Sequence, residues 1–186
     1  MEREIGNENL SLDFFYYVLF NDEKISLTRE SINKVQQCFN FLEEFAEGKV
    51  IYGITTGFGP MAQHRISDKD RKQLQYNLIR SHSSGVGNHI PPLYVKAAMI
   101  CRLINILQAK SGIHSESAIL LKDFINNNIT PVIYEHGGVG ASGDLVQLSH
   151  LALSLIGEGE VYFKGEVVPT EVAMKACNLK PITIYI

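Results

Sequence analysis

Apolar side chains recur every three or four residues through most of this chain, and that period is typical of amphipathic helices. Together with the start and stop signals at their ends, the pattern predicts five main helices, a β-hairpin and one short further helix. The sequence therefore predicts a mainly α fold (α+β), in a single domain over residues 1–186. The first predicted helix follows Thr28 and the second starts at Ser67. The other three run from Pro92 to Ser111, from Ser115 to Asn126 and from Asp144 to Gly157. The predicted hairpin covers residues 161–168, and Thr170 caps the short last helix.

Composition excludes several classes of protein. The chain has 186 residues, of which 45% are apolar and 20% are charged. A chain of this length and apolar content can bury a hydrophobic core without disulfides or metal. Its net charge of −3, with scattered basic residues, argues against a nucleic-acid partner. The N-terminus is too charged for a secretory signal, and the most apolar stretch, residues 145–156, is too short to span a membrane. Three isolated cysteines indicate reduced thiols, so we expect a cytoplasmic protein.

Two segments between the predicted helices are rich in glycine. Residues 51–60 hold three glycines among aromatic side chains, and residues 136–144 hold four. Loops carried by a rigid scaffold are frequent places for catalytic residues, so these two loops are the first candidates for a functional site. The chain ends on an apolar, strand-like run over residues 181–186, and we therefore expect it to be part of a longer protein.

Residues 138–143 allow more than one interpretation. Gly-Val-Gly-Ala-Ser-Gly matches the G-x-G-x-x-G pattern of dinucleotide-binding loops. Against that interpretation, Asp144 would place a carboxylate where a pyrophosphate binds, and Pro131 is poorly tolerated in a central parallel strand. The predicted hairpin also takes the place of a second βαβ unit. A flexible glycine turn before a capped helix explains the glycines and Asp144, but it does not explain the Ala-Ser-Gly between them.

A third interpretation of this loop is chemical. In a sharply folded loop the Gly143 nitrogen can attack the Ala141 carbonyl carbon. Loss of water from the ring and from the Ser142 side chain then gives 4-methylidene-imidazol-5-one, an electrophile made from the protein itself. Glycine is needed at the attacking nitrogen because a Cβ would block the approach, and the neighbouring glycines permit a strained backbone.

Three motifs along the chain point to one family. Residues 135–145 read Glu-His-Gly-Gly-Val-Gly-Ala-Ser-Gly-Asp-Leu, residues 52–59 read Tyr-Gly-Ile-Thr-Thr-Gly-Phe-Gly, and residues 74–82 read Leu-Gln-Tyr-Asn-Leu-Ile-Arg-Ser-His. They resemble, respectively, the cofactor-forming signature, the N-terminal loop and the pocket-lining helix of the aromatic amino acid ammonia-lyases, which include the histidine, phenylalanine and tyrosine enzymes. The motifs occur in the family's order, and the resemblance covers residues 50–170.

The resemblance implies an enzyme that eliminates ammonia from a small-molecule aromatic amino acid through the methylidene-imidazolone electrophile, with no metal, pyridoxal phosphate or nucleotide. It implies the N-terminal portion of a homotetrameric protein, ending before the central helical bundle. We expect this portion alone to be inactive and to leave Ser142 unmodified. A non-catalytic helical domain on the same scaffold is the alternative of another class; the presence of Ser142 and Tyr52, neither needed for folding, argues against it.

Two features bear on the substrate. The Ser81-His82 pair is similar to the pair in histidine ammonia-lyases, so histidine converted to urocanate is the first expectation. Gln147 replaces a proline common in the family and is similar to a subgroup that contains tyrosine ammonia-lyases, so tyrosine converted to coumarate is the alternative. Ile54-Thr55 also departs from the Val-Asn of many members.

The resemblance also assigns roles to individual residues. Tyr52 would be the general base, Gly59 and the Ser81-His82 pair would bind the substrate, and Asp144 would cap a helix and support ring formation. Taken alone, Tyr52 also fits an aromatic residue that anchors a loop, and His82 also fits a packed or surface histidine. The remaining histidines have no metal-ligand spacing and are interpreted as structural: His64, His89, His114, His136 and His150.

Overall fold

A computed structural model describes residues 2–6, 10–64, 66–140 and 145–184. Over these residues helices dominate and the strands are short, which confirms the predicted mainly α fold. The described helices are α1 (Leu12–Phe20), α2 (Arg29–Ala46), α3 (Asp68–His82), α4 (Pro92–Leu107), α5 (Ser115–Asn126), α6 (Val146–Leu155) and α7 (Thr170–Ala176), with a 3₁₀ turn at Gly59–Gln63. The described strands are β1 (Glu2–Ile5), β2 (Lys24–Leu27), β3 (Val86–His89), β4 (Thr130–Pro131), β5 (Tyr134–His136), β6 (Glu160–Phe163) and β7 (Glu166–Pro169).

The strands form small separate sheets. β1 lies parallel to β2, and β6 and β7 form the predicted hairpin, to which β4 adds an antiparallel edge. β3 pairs antiparallel with β5, with Val86 opposite His136. Because β3 follows α3 and β5 leads into the second glycine loop, this pair places the end of α3 beside the start of that loop.

The core centres on α4 and α5, which pack against each other and against α1 and α2. Burying an aliphatic or aromatic side chain of this kind contributes about 1.5–3 kcal/mol. These two helices are therefore the stable body on which the loops are carried. Their fully buried side chains include Met99, Ile100, Leu103, Leu107, Leu121 and Phe124.

The helix starts show why several predicted elements are correct. At α2 the Thr28 hydroxyl accepts a hydrogen bond from the Ser31 amide at 3.1 Å, as expected of a capping threonine. α4 begins at Pro92, where the missing amide hydrogen leaves no bond unmade. At α3 Ser67 occupies the cap position, but its hydroxyl donates to the Asp70 carboxylate at 2.6 Å and caps no backbone amide.

Helix α1 was not predicted, because eight of the nine residues in Leu12–Phe20 are apolar or aromatic and the segment has no single apolar face. Two of its side chains, Phe14 and Val18, reach the core, while Tyr16 and Phe20 stay exposed and contact each other.

Three boundaries near the C-terminal half differ from prediction. α6 begins at Val146 with Leu145 at its cap position, two residues later than expected, and Asp144 lies outside the described residues. Thr170 is the first residue of α7 rather than its cap, and its hydroxyl donates to the Glu158 carbonyl at 2.8 Å. Residues 181–184 form no strand; the Ile182 amide donates to the carbonyl of Leu155 at 3.0 Å and fastens this run to α6.

Within the described ranges, no helix combines the length and the apolarity needed to cross a membrane. The element that most directly organises the candidate site is α3. It packs against α6, its middle contacts the first glycine loop, and the strand that follows it pairs with the strand that leads into the second glycine loop.

Candidate active site

Two buried threonines hold the loop of residues 51–60. The Thr55 hydroxyl accepts a hydrogen bond from the Ile51 amide at 2.7 Å and donates one to the Lys49 carbonyl at 2.9 Å. The Thr56 hydroxyl accepts from the Gly53 amide at 3.2 Å. The hydroxyls supply partners for backbone groups that neither a helix nor a sheet pairs here. Thr55, which stands where many members of the family that the sequence resembles have asparagine, is therefore one of the residues whose hydrogen bonds hold this loop together.

Tyr52 presents its phenol at the surface of this loop. Its side chain is 63% exposed, and its hydroxyl oxygen accepts a hydrogen bond of 3.1 Å from the Gly59 amide. Its ring meets Phe58 edge to face, with the ring centroids 5.9 Å apart. Gly53 has a φ of +73°, and a Cβ there would lie 2.7 Å from the Phe58 ring. The loop thus needs glycine at position 53, and it brings Tyr52 and Gly59 together.

Gln75 connects this loop to α3. Its side-chain Nε2 donates to the Gly53 carbonyl at 3.4 Å. Gln75 and His82 are seven residues apart, so they lie on the same face of α3, about 10 Å apart along its axis. A single rigid helix therefore connects the loop that carries Tyr52 with His82.

His82 lies half-buried in the last turn of α3, beside the exposed Ser81. Its Nδ1 is 2.9 Å from the Leu78 carbonyl oxygen. Because a carbonyl oxygen only accepts hydrogen bonds, Nδ1 carries a proton in this arrangement. The Ser81 hydroxyl donates to the same carbonyl at 3.1 Å and lies 3.1 Å from Nδ1. In a neutral ring, Nε2 of His82 is then the nitrogen that accepts a hydrogen bond.

The second glycine loop leaves β5 and reaches α6. Gly137 has a φ of +141°, and a Cβ there would lie 2.8 Å from the Val146 side chain. The loop therefore passes tightly against the first turn of α6. The predicted electrophile and its supporting carboxylate lie outside the described residues, so their roles stay predictions: Ala141, Ser142, Gly143 and Asp144.

His150 joins α6 to the segment that follows α3. Its Nε2 accepts a hydrogen bond of 3.1 Å from the Gly85 amide, and its ring lies against that of Tyr134, with centroids 5.3 Å apart. Burial lowers the pKa of His150 below its ordinary value of 6.5, because a buried site disfavours the charged ring. The neutral ring is the form that can accept from Gly85.

Arg80 and Glu158 form a second connection between α3 and the turn after α6. The guanidinium donates to both carboxylate oxygens, with Nε at 2.9 Å and a terminal nitrogen at 2.6 Å. The guanidinium lowers the pKa of Glu158 below its ordinary value. Both side chains are partly exposed, so solvent screens the pair, and its main effect is on where the end of α3 lies.

Two clefts flank α3, and neither contains the candidate residues. One has a volume of about 430 Å³ between α2, α3 and the first loop, and the other has about 310 Å³ between α3, α6 and residues 182–184. Gln75 lines both, but neither is lined by Tyr52 or His82. These two side chains therefore lie outside both clefts.

Among the described residues, no group of three or more histidine, cysteine or acidic side chains is arranged to hold a metal ion. The motifs indicated Tyr52, Gly59, Ser81 and His82, but they gave no role to Gln75 or His150. The partners of those two are backbone groups 22 and 65 residues away, and such pairings leave no pattern in a single sequence.

A family model for aromatic amino acid lyases matches residues 10–185 of this chain. Over 181 residues the chain is 41% identical to the histidine ammonia-lyase of Bacillus cytotoxicus. That match covers 97% of this chain and 36% of the relative, so the chain spans about a third of the relative's length.

Two solved structures extend the comparison. Ergothionase from Treponema denticola, an ergothioneine-degrading enzyme, has a TM-score of 0.92 and 31% identity, over 98% of this chain and 37% of its own. Tyrosine aminomutase from Streptomyces globisporus has a TM-score of 0.88 and 32% identity, over 99% of this chain and 35% of its own. The likeness in fold thus extends over nearly every residue of this chain.

Proposed function

Because this chain belongs to the aromatic amino acid lyase family, we propose that the protein containing it eliminates ammonia from histidine and releases urocanate. The similarity to a histidine ammonia-lyase and the Ser81-His82 pair support histidine as the substrate. The chain spans 36% of that relative, so the activity is proposed for the whole protein rather than for these residues alone.

The sequence and the described residues that flank positions 141–143 support a cyclised Ala-Ser-Gly. In the sequence, a glycine at position 143 has no Cβ to hinder its attacking nitrogen. In the structure, Gly137 lets the start of the loop pass where a Cβ would meet Val146. β5 and α6 bound the loop on its two sides. Once formed from these three residues, the group would supply an electrophilic carbon for the substrate amine, which would make the amine a better leaving group.

Tyr52 is the proposed general base. Elimination requires that the β proton of the substrate be removed as the carbon–nitrogen bond breaks, which gives the alkene product and ammonia. The phenol oxygen of Tyr52 takes that proton. The Gly59 amide, which donates to this oxygen, stabilises it when it is negatively charged. Gly59 thus holds the base, in addition to the substrate contact expected for it.

His82 is the proposed contact for the substrate side chain, with Ser81 supporting its orientation. With Nδ1 bonded to the Leu78 carbonyl, Nε2 accepts a hydrogen bond from the imidazole of a bound histidine. The same nitrogen accepts equally well from the hydroxyl of a tyrosine. Tyrosine therefore remains the second candidate substrate, favoured by Gln147 and by the similarity to a tyrosine aminomutase.

The proposal extends to assembly and location: a cytoplasmic homotetramer. Large apolar side chains stay exposed on α4 and around the start of α6, where a helical partner would cover them. They are Leu93, Tyr94, Leu145 and Leu148.

One observation carries the proposed function: an exposed Tyr52 phenol, held by the Gly59 amide, in a chain that also contains Ala-Ser-Gly between a glycine-rich loop and a helix. The test is Ser142→Ala in the full-length protein, assayed separately for urocanate and for coumarate. We expect turnover to fall by several orders of magnitude while the circular dichroism spectrum stays unchanged. Ser154→Ala, which removes a buried hydroxyl bonded within α6, serves as the control.

Near-normal turnover by the Ser142→Ala protein, or a requirement for pyridoxal phosphate, would contradict the proposal. A wild-type protein that folds, assembles and releases ammonia from no aromatic amino acid would favour the non-catalytic alternative.

A further inference from the structure

Three segments that carry or flank the candidate site meet at one point. Gly85 follows the end of α3, Gly137 lies at the start of the second glycine loop, and His150 lies in the second turn of α6. A Cβ on Gly85 would lie 3.0 Å from His150 Nε2 and 3.0 Å from the Cβ of Tyr134, and a Cβ on Gly137 would lie 3.3 Å from the Gly85 Cα. Packing this close allows little displacement of one segment without the others.

The polar contact at this point has a fixed direction. The Gly85 amide donates, so Nε2 of His150 must be the unprotonated nitrogen, and in the neutral ring the proton is on Nδ1. A protonated imidazolium carries hydrogen on both nitrogens and cannot accept this bond. Protonation of His150 therefore removes the one described hydrogen bond that joins its ring to the segment after α3.

We propose that His150 is a positioning residue of the elimination site: it fixes α6, which follows the second glycine loop, and Gly137, which lies at the start of that loop, against the segment that follows His82. The effect on catalysis rests on the proposed function, whereas the effect on the contact itself does not. His150 touches no reacting atom in this proposal and acts through the placement of these two flanking segments.

The surroundings of the ring make this contact sensitive to pH. Of the described residues, the Tyr134 ring on β5 and the backbone of Gly85 face the imidazole, and Tyr134 in turn contacts His89 on β3. Burial disfavours the charged ring, so the contact is intact near neutral pH and is lost below the ordinary range of histidine. We expect the Gly85–His150 contact to open in acid before the protein unfolds.

Two variants at position 150 separate the hydrogen bond from the packing. His150→Gln keeps an acceptor near the position of Nε2 but does not titrate, and His150→Phe keeps a ring of similar size but has no acceptor. In the full-length protein at pH 8 we expect kcat of the Gln variant to stay within about twofold of wild type. We expect kcat of the Phe variant to fall about tenfold or more, with a smaller change in KM, because a misplaced reacting group slows the chemical step. Ser154→Ala, on the same helix, is the control for loss of a hydrogen bond elsewhere in α6.

Hydrogen exchange at the Gly85 amide provides a readout that needs no activity. Corrected for the intrinsic rate, protection in the wild type is expected to fall as the pH is lowered from 8 to 4.5, which extends well below the ordinary pKa of histidine, to stay constant in the Gln variant, and to be low throughout in the Phe variant. Constant protection in the wild type, or equal loss of kcat in the Gln and Phe variants, would overturn the inference. A wild type without ammonia-lyase activity but with the expected exchange would instead contradict the proposed function alone.

Discussion

The backbone amide of Gly59 donates a hydrogen bond of 3.1 Å to the phenol oxygen of Tyr52, seven residues earlier in the same loop. The loop closes on itself because Gly53 and Gly59 both adopt positive φ, at +73° and +53°. The position of the phenol oxygen is therefore set by the backbone of its own loop. Variants within this loop can test the proposed base without disturbing the helical core.

Replacing Tyr52 by phenylalanine is expected to lower kcat by about 10²–10⁴-fold, the range typical of a lost general base. KM should change little, because the ring and its contact with Phe58 remain. The Gly59 amide is exposed and can bond to water, so the free energy of unfolding should change by less than about 1 kcal/mol. Steady-state kinetics and urea denaturation measure the two effects.

Tyr94→Phe is the matched control, since Tyr94 is 65% exposed on α4, has no proposed part in the reaction, and keeps its ring at the proposed subunit contact when replaced by phenylalanine. If Tyr52→Phe and Tyr94→Phe have the same kcat, Tyr52 is not the base.

Gly53→Ala is expected to destabilise the first loop through two separate effects. A residue with a Cβ at positive φ costs about 1–2 kcal/mol, and here the Cβ would also meet Phe58 at 2.7 Å. Gly48→Ala isolates the first effect, because Gly48 has a φ of +71° but no atom within 4 Å of its would-be Cβ. Urea denaturation should therefore show a larger loss for position 53 than for position 48. Equal losses would mean that the Phe58 contact does not limit the loop.

His82→Leu tests the contact proposed for the substrate. Loss of Nε2 should lower kcat/KM for histidine or tyrosine by about tenfold or more and raise it for phenylalanine, because an apolar pocket no longer pairs a polar substrate group. Ser83→Ala is the control: it removes a hydroxyl that donates to the Ile79 carbonyl at 2.8 Å at the same end of α3 and has no proposed substrate contact, so its ranking of substrates should match that of the wild type. An unchanged ranking in His82→Leu would show that His82 does not contact the substrate side chain.

The sequence predicted those parts of the fold that depend on local signals. α2, α4 and α5 follow from a capping threonine, a proline at the first helical position and a regular apolar period. α1 lacks these signals, since its own apolar residues lie on all of its faces, and tertiary packing, including that against α4, determines which of them are buried. The position of a helix can therefore be predicted from its own sequence when one of its faces is polar, and is predicted poorly when no face is polar.

The same distinction holds for the candidate site. Motifs indicated Tyr52 and His82 because glycine spacing and residue order are visible in a sequence. They could not indicate that Gln75 reaches the Gly53 carbonyl or that His150 accepts from Gly85, because backbone partners of this kind have no residue type of their own. The role of Ser142 stays a prediction.

The Arg80–Glu158 pair makes a prediction about pH. The folded protein lowers the pKa of Glu158, so the pair contributes its full stability above the ordinary carboxylate pKa. That contribution is lost as the pH falls through the lowered value, when the carboxylate is protonated. Wild type and Glu158→Gln should therefore differ in urea midpoint at pH 7, and the difference should shrink as the pH is lowered below the ordinary carboxylate pKa.

The difference at pH 7 should be small, because solvent screens the pair. Glu160→Gln is the control, as Glu160 is an exposed carboxylate two residues away. A constant difference between wild type and Glu158→Gln across this range would show that Glu158 stays charged or contributes nothing.

A polypeptide of these 186 residues alone is expected to keep Ser142 as an ordinary serine. Cyclisation requires the Gly143 nitrogen to approach the Ala141 carbonyl against the preference for a planar, extended backbone, and such strain persists only where the surroundings enforce it. We expect that enforcement to come largely from the helical bundle that the family resemblance implies, and this chain spans only 36% of its histidine ammonia-lyase relative. Exposed apolar side chains such as Tyr94 and Leu145 should instead promote self-association.

Intact mass spectrometry measures the outcome directly. Ring formation with loss of two waters lowers the mass by roughly 36 Da and adds a near-ultraviolet absorption band, so the polypeptide should show neither change. The full-length protein should show both, and its Ser142→Ala variant should lack the band. If the 186-residue polypeptide shows the mass loss, the described frame of β5, α6 and the Gly85–His150 contact is by itself sufficient to compress the loop, and the bundle is needed for substrate binding rather than for making the electrophile.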